Sequence, residues 1–156
     1  MKNGKACCFT GHRIIGSDFK LDVLRRGIRY LIQQGIDTFI AGGALGFDTL
    51  CAIEVLSAKQ EFPNIKLHIY APCKNQCESW HSKDKQIYND ILAKADYVDI
   101  PDSNYYNGCM KERNYKMVDN SDYCICYLNK KRSGTWQTYR YAVEKGLTVF
   151  NLAGKE

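Results

Sequence analysis

Short β-like runs alternate with helical segments along most of this 156-residue chain. This alternation is typical of βαβ units, in which a helix crosses over between two parallel strands. The expected strands are 5–10, 38–41, 66–71, 97–100, 123–127 and 148–152, and the expected helices begin near 17, 47, 82, 110 and 134. The pattern predicts an α/β fold of Rossmann-like type, a mostly parallel sheet with helices on both faces. We expect residues 1–156 to form a single domain.

The helix limits follow from capping residues and apolar spacing. Ser17 is expected to cap the first helix, and Gly35 to end it. In the second helix, the residues expected to face inward are Leu50, Ile53, Val55 and Leu56.

Composition excludes several classes of protein. There is no stretch of about 18 apolar residues, so no membrane span or membrane partner is expected. The N-terminal apolar run is too short for a signal peptide, which favours a cytoplasmic location. The net charge of +5 suits an anionic ligand but falls short of a dedicated nucleic-acid binder.

The chain contains 8 cysteines, which in a cytoplasmic protein are expected to be reduced thiols. Cys73, Cys77 and His81 are spaced four residues apart, and all three residue types can bind zinc. A fourth ligand is not evident, and Pro72 indicates the start of a loop. We therefore expect no metal site.

Two glycine-containing segments follow the first two expected strands. Thr10, Gly11, His12 and Arg13 place a turn and a planar cation suited to phosphate directly after the first strand. Residues 42–48, Gly-Gly-Ala-Leu-Gly-Phe-Asp, follow the second strand and open a helix. Backbone N–H groups at such a junction attract anions. Asp48 either caps this helix or accepts hydrogen bonds from ribose hydroxyls.

A third segment, Ser133-Gly134-Thr135 followed by Thr138, opens the last long helix after the fifth strand. Its hydroxyls either bind phosphate or cap the helix. Upstream, Arg113 and Asn114 lie on a short helix from which the arginine could reach the same crevice. In a parallel sheet all three segments lie at the carboxyl ends of strands, where ligands bind.

These segments together resemble the SLOG superfamily, named for the DprA/Smf and LOG proteins, and most closely its YpsA-type branch. The resemblance covers nearly the whole chain. Its motifs are residues 10–13, residues 42–48, Trp80 with Asp84 and Tyr88, residues 112–114, and residues 133–135 with Thr138 and Ala142.

The resemblance implies several activities. LOG enzymes release a base from a nucleoside monophosphate with an arginine that Arg113 matches and a glutamate whose position Thr138 occupies here. DprA proteins bind single-stranded DNA, and other superfamily members sense nucleotide-derived signals, including ADP-ribose derivatives. The superfamily, together with 11 tyrosines, also favours a homodimer.

We therefore expect a sensor or sequestering protein that binds a nucleotide or ADP-ribose-like ligand, with no cofactor and no assigned catalytic residue. Two alternatives stay open: a nucleotide N-glycosidase in which Asp48 or Glu112 replaces the missing glutamate, and a DprA-like binder of single-stranded DNA. The expected ligand-binding residues are Thr10, Gly11, His12, Arg13, Gly42, Gly43, Ala44, Gly46, Asp48, Arg113, Asn114, Ser133, Gly134, Thr135 and Thr138.

Overall fold

The computed structural model describes residues 6–153, in which strands and helices alternate from β1 to β6. The strands are β1 (Ala6–Gly11), β2 (Thr38–Ala41), β3 (Lys66–Tyr70), β4 (Tyr97–Asp99), β5 (Tyr123–Tyr127) and β6 (Thr148–Asn151). The helices are α1 (Leu21–Gln33), α2 (Phe47–Glu61), α3 (Ser82–Lys94), α4 (Cys109–Asp119) and α5 (Gly134–Glu144). The alternation predicted from the sequence is confirmed, although the first strand was predicted to begin at Lys5, which lies outside the described residues.

The six strands form one sheet in the order β4-β3-β2-β1-β5-β6. Every neighbouring pair is parallel, so the predicted Rossmann-like α/β class is confirmed. The chain moves outward from β1 to β4, then crosses back to place β5 on the other side of β1. A parallel sheet opens a crevice at such a reversal, outside the carboxyl ends of β1 and β5.

Successive residues of each strand point to opposite faces of the sheet, and both faces are covered. Cys7 and Phe9 of β1 pack with α1, α2 and Ile91 of α3. Cys8, between them in sequence, packs on the opposite face with Met117 of α4 and other residues of α4 and α5. The strands are therefore apolar on both sides, as buried parallel strands usually are.

Two local predictions are wrong. Ser17 does not cap α1, because the chain makes a turn there whose Gly16 N–H donates to the Tyr127 hydroxyl at 2.9 Å, and α1 begins at Leu21. Ile53 does not face inward and is 42% exposed. The buried face of α2 instead comprises Phe47, Asp48, Cys51, Ala52, Glu54, Val55 and Ala58. No helix within residues 6–153 has both the length and the apolar character needed to cross a bilayer.

Candidate ligand-binding crevice

The glycine loop after β2 touches the loop after β1. Gly43 and Gly46 have φ values of +74° and +83°, which side chains rarely adopt. A Cβ atom on Gly46 would overlap the carbonyl oxygen of Arg13, and the Phe47 N–H donates to the His12 carbonyl at 3.1 Å. The structure thus brings together two of the segments predicted to bind ligand, residues 10–13 and 42–48.

Arg113 is buried at the carboxyl ends of β2 and β3, although an arginine on a short helix could equally have been an exposed cation. The residue is only 7% exposed. Its Nη1 donates to the carbonyl oxygens of Gly42 at 2.6 Å and Tyr70 at 3.2 Å, and its Nε donates to Oδ1 of Asn114 at 2.7 Å. Within residues 6–153, Nη2 makes no such bond. The guanidinium is therefore held at the ends of β2 and β3 through two of its three nitrogens.

Asp48 approaches the same glycine as Arg113. A Cβ atom on Gly42 would lie 2.7 Å from Nη1 of Arg113 and 2.8 Å from Oδ2 of Asp48. Burial raises the pKa of Asp48 to about 6, against the opposing influence of Arg113 and of the Ala44 N–H. Burial likewise lowers the pKa of Arg113, while Asp48 acts to raise it. Two desolvated, opposite charges beside a glycine loop are typical of a functional site.

His12 joins the loops that follow β1 and β5. Its Nε2 accepts a hydrogen bond from the Asn129 N–H at 3.1 Å, so that nitrogen carries no proton. Burial and the nearby Lys130 lower the pKa of His12, and Asp18 opposes them. The neutral imidazole therefore holds the two loops together at the reversal between β1 and β5.

The third predicted segment lies beside a different cavity. Ser133 caps α5 by accepting from the Trp136 N–H at 3.1 Å, and the Thr138 hydroxyl donates to the Gly134 carbonyl at 2.9 Å. Thr135 and Thr138 are buried. A cavity of about 580 Å³ is formed by α5 with Tyr115 of α4, and its walls are Tyr115, Arg132, Ser133, Gly134, Trp136, Gln137, Arg140, Tyr141 and Glu144.

The remaining predicted residues take different positions. Thr10 is 6% exposed. Gly11 packs so closely against the Phe47 ring that no Cβ atom would fit there. These two residues therefore support the backbone of the first loop by packing against the protein interior.

The structure adds residues that sequence reasoning did not assign to the site. Tyr88 of α3 and Gln76, from the β3–α3 connection, lie against Gly43. A second cavity of about 290 Å³ is lined by Arg113 and by the ion-paired Lys116 and Asp99. Tyr88 belonged to a family motif, but nothing in the sequence singled out Gln76.

Cysteines contribute no metal centre within the described residues. Cys73 is buried, Cys77 is partly exposed, and residues 6–153 contain no group of three or more histidine, cysteine or acidic side chains placed to hold a metal ion. All eight cysteines are free thiols in this structure.

The comparison with protein families agrees with the site geometry. Residues 18–148 match the model of the YspA SLOG family, named YpsA. The chain belongs to this family. The match spans the glycine loop, Arg113 and the start of α5, and it begins after β1 and residues 10–13.

Proteins similar to this chain occur in bacteria. A UPF0398 protein of Brevibacillus brevis is 27% identical over 114 residues, which are 72% of this chain and 61% of that protein. A UPF0398 protein of Halalkalibacterium halodurans is 27% identical over 136 residues, covering 86% of this chain and 72% of the relative. The chain thus spans less than two thirds of the length of the first of these relatives.

Solved structures of DNA processing protein A share the fold. The Helicobacter pylori protein, described for its single-stranded DNA binding mode, superposes with a TM-score of 0.71 at 19% identity, covering 95% of this chain and 65% of that one. The Streptococcus pneumoniae protein gives a TM-score of 0.70 at 18% identity, covering 94% and 50% of the two chains. At these identities the likeness shows a common fold.

Proposed function

We propose that this chain binds a nucleotide or ADP-ribose-like molecule in the crevice at the strand carboxyl ends, as a sensor or sequestering protein. One observation carries the proposal: Arg113 is buried, fixed at Nη1 and Nε, and keeps Nη2 for a ligand. An arginine held in this way loses little side-chain entropy when it binds a phosphate group. Asp48, whose Oδ2 lies against Gly42 beside Arg113, is the acceptor for a ribose hydroxyl.

A direct binding measurement tests this proposal. Isothermal titration with AMP and ADP-ribose should give saturable binding. Arg13→Gln removes an exposed cation whose charge acts on Asp48 and should weaken binding about 10- to 150-fold, the value of one charge-assisted hydrogen bond. Arg26→Gln is the matched control, because Arg26 lies on α1 and pairs with Asp22 at the surface. Equal affinities of both variants and the parent would refute this placement of the ligand.

The N-glycosidase alternative uses the same crevice and is tested with the same ligands. Cleavage needs a group that carries negative charge near the sugar carbon. Thr138 is an uncharged, buried residue whose hydroxyl bonds within its own helix, which leaves Asp48, or Glu112 beside Arg113 in the 290 Å³ cavity, for that role. We expect AMP to be recovered unchanged by chromatography. Multiple-turnover release of adenine that disappears in Asp48→Asn would establish the enzyme instead.

A second candidate function is binding of single-stranded nucleic acid along the α5 groove, defined here as the 580 Å³ cavity between α4 and α5. The observation that favours it is a ring flanked by cations: Lys131 Nζ and Arg140 Cζ lie 5.7 and 5.8 Å from the centroid of a Trp136 ring. Such sites stack bases and attract phosphates. The structural neighbours from DNA processing protein A are consistent with it.

Salt dependence separates this function from the binding of a small ligand. If three or four phosphates are neutralised, affinity for a single strand should fall about 20- to 50-fold between 50 and 200 mM salt. At a given salt concentration, Trp136→Leu should bind the single strand more weakly than the parent. A flat salt response in fluorescence anisotropy would exclude the groove as a nucleic-acid surface.

Two broader features belong to the same proposal. We infer a cytoplasmic location, where free thiols such as these eight cysteines persist.

We also infer a homodimer, for which the exposed Tyr30, Tyr97, Tyr105 and Tyr106 offer aromatic contact surface. Sedimentation velocity at micromolar concentration tests the dimer, and a single species at the 17.9 kDa monomer mass would contradict it.

A further inference from the structure

Gln76 has a buried amide that makes no hydrogen bond of full geometry within residues 6–153: its Nε2 and Oε1 are both enclosed. The amide interacts weakly with the Tyr88 hydroxyl, and this interaction acts to lower the pKa of Tyr88 against the larger effect of burial, but the distance or angle falls outside that of a well-formed bond. Other amides nearby are paired: Asn75 Oδ1 accepts from the Tyr105 N–H at 2.9 Å, and Asn114 Oδ1 accepts from Arg113. An unpaired buried amide destabilises the free protein and needs an explanation in function or strain.

The amide lies against the glycine loop of the crevice. A Cβ atom on Gly43 would be 3.4 Å from Gln76 Nε2, 2.8 Å from Tyr88 Cε1 and 3.3 Å from Ile69 Cγ2. Gln76 therefore lies against Gly43, and the neighbouring Gly42 faces Arg113 and Asp48. The proposed function assigns that charged pair to phosphate and ribose.

The chemistry of the amide narrows what can satisfy it. A primary amide offers a donor and an acceptor side by side. A phosphate offers acceptors alone, so it would satisfy Nε2 and repel Oε1. The edge of a nucleobase offers both kinds of group in the same spacing, as in the pairing of Gln with adenine. Trp80 and Tyr88, whose ring centroids are 5.4 Å apart, supply aromatic surface for a base next to the same loop.

We propose that Gln76 is the base-recognition residue of this crevice and that a nucleobase supplies the hydrogen-bond partners its amide lacks in the free protein. The inference rests on the proposed function, since it places the base next to the phosphate and ribose contacts. Because both amide atoms are covered in the free protein, the connection between β3 and α3 must move outward when the base enters. The free protein is less stable with Gln76 than it would be with an apolar side chain of the same shape.

Stability of the free protein gives the first test. Gln76→Met keeps the length of the side chain and removes the unpaired polar atoms, so Tm should rise by about 2–6 °C. Gln60→Met, at an exposed position of α2, is the matched control and should leave Tm nearly unchanged. A lower Tm in Gln76→Met would mean that the amide is already satisfied and would overturn the proposal.

Binding gives the second test, with AMP, ribose 5-phosphate and an oligodeoxyadenylate as probes in isothermal titration. Gln76→Met should weaken AMP binding about 5- to 100-fold and leave ribose 5-phosphate unaffected. A loss confined to the oligonucleotide would also support base recognition and assign the base to a strand. Unchanged affinity of Gln76→Met for both AMP and the oligodeoxyadenylate, or equal parent affinity for AMP and ribose 5-phosphate, would overturn base recognition while the proposed function stands. If the parent binds none of the three probes, both proposals fall.

Discussion

Arg113 Nη1 donates a 2.6 Å hydrogen bond to the carbonyl oxygen of Gly42, which lies 71 positions earlier in the chain. The contact ties α4 to the glycine loop at the end of β2. Arg113, the buried cation of the crevice, therefore also supports the backbone of the glycine loop.

Arg113→Lys should therefore lower the free energy of unfolding by about 1–3 kcal/mol. A lysine keeps the charge near Asp48, but its single nitrogen cannot reproduce the fork that serves the Gly42 and Tyr70 carbonyls and Asn114 together. At least one buried group then loses its partner. Urea unfolding measures the change. Arg140→Lys, at an exposed position of α5, is the control, and equal losses in the two variants would contradict a supporting role for Arg113.

A pair of glycines separates backbone strain from close contact. Gly46 and Gly146 both have φ of +83°, but a Cβ atom on Gly146 meets nothing within 4 Å, whereas one on Gly46 overlaps the Arg13 carbonyl oxygen. Gly146→Ala should cost about 1–2 kcal/mol from strain alone. Gly46→Ala should cost at least ~1 kcal/mol more, because the obstacle is backbone. Chemical unfolding of both variants checks this, and equal costs would show that the two loops are not in contact.

The raised pKa of Asp48 predicts that this group's contribution to stability falls as pH rises, the reverse of the usual behaviour of a carboxyl group. Its pKa is about 6 in the folded protein and 3.8 in an unperturbed carboxyl, so between these values the folded state binds more protons than the unfolded state. Stability from this group is therefore present below pH 4 and is lost as pH rises through 6, by up to about 3 kcal/mol. Asp48→Asn should remove that slope. Urea unfolding of both proteins at pH 4, 5, 6 and 7 isolates it, and parallel pH profiles would refute the assignment.

His12 acts in the opposite direction. Its pKa is lowered below the ordinary 6.5, so the unfolded state binds the proton first as pH falls. The stability contributed by the neutral ring is present above pH 6.5 and is lost as pH drops toward the folded pKa. His12→Phe retains an aromatic ring against Tyr127 but accepts no bond from Asn129. Its stability relative to the parent should rise on acidification below pH 6.5, and a constant difference in thermal unfolding between pH 5 and 8 would contradict this.

Much of the fold could be predicted from local sequence. The bounds of β2 and β5 were predicted correctly, because apolar runs of β type between turn residues have few other interpretations. The glycine loop of residues 42–48 was also recognisable, since its glycines mark a backbone that side chains would obstruct. The first helix was harder: Ser17 has the chemistry of a cap, but a turn bonded to Tyr127, 111 residues from Gly16, displaces the helix start to Leu21.

The amino-acid sequence by itself determined the alternation of strands and helices, the family and the glycine loops, because periodicity and backbone permissiveness are properties of neighbouring residues. Tertiary structure alone decided that Arg113 is buried, that Asp48 has a raised pKa, and that the Gln76 amide lies beside Gly43 without a well-formed hydrogen bond. Each of these depends on which strand ends meet at the edge of the sheet. Desolvation and hydrogen bonding are set by groups brought together from distant parts of the chain, and residue type alone does not specify them.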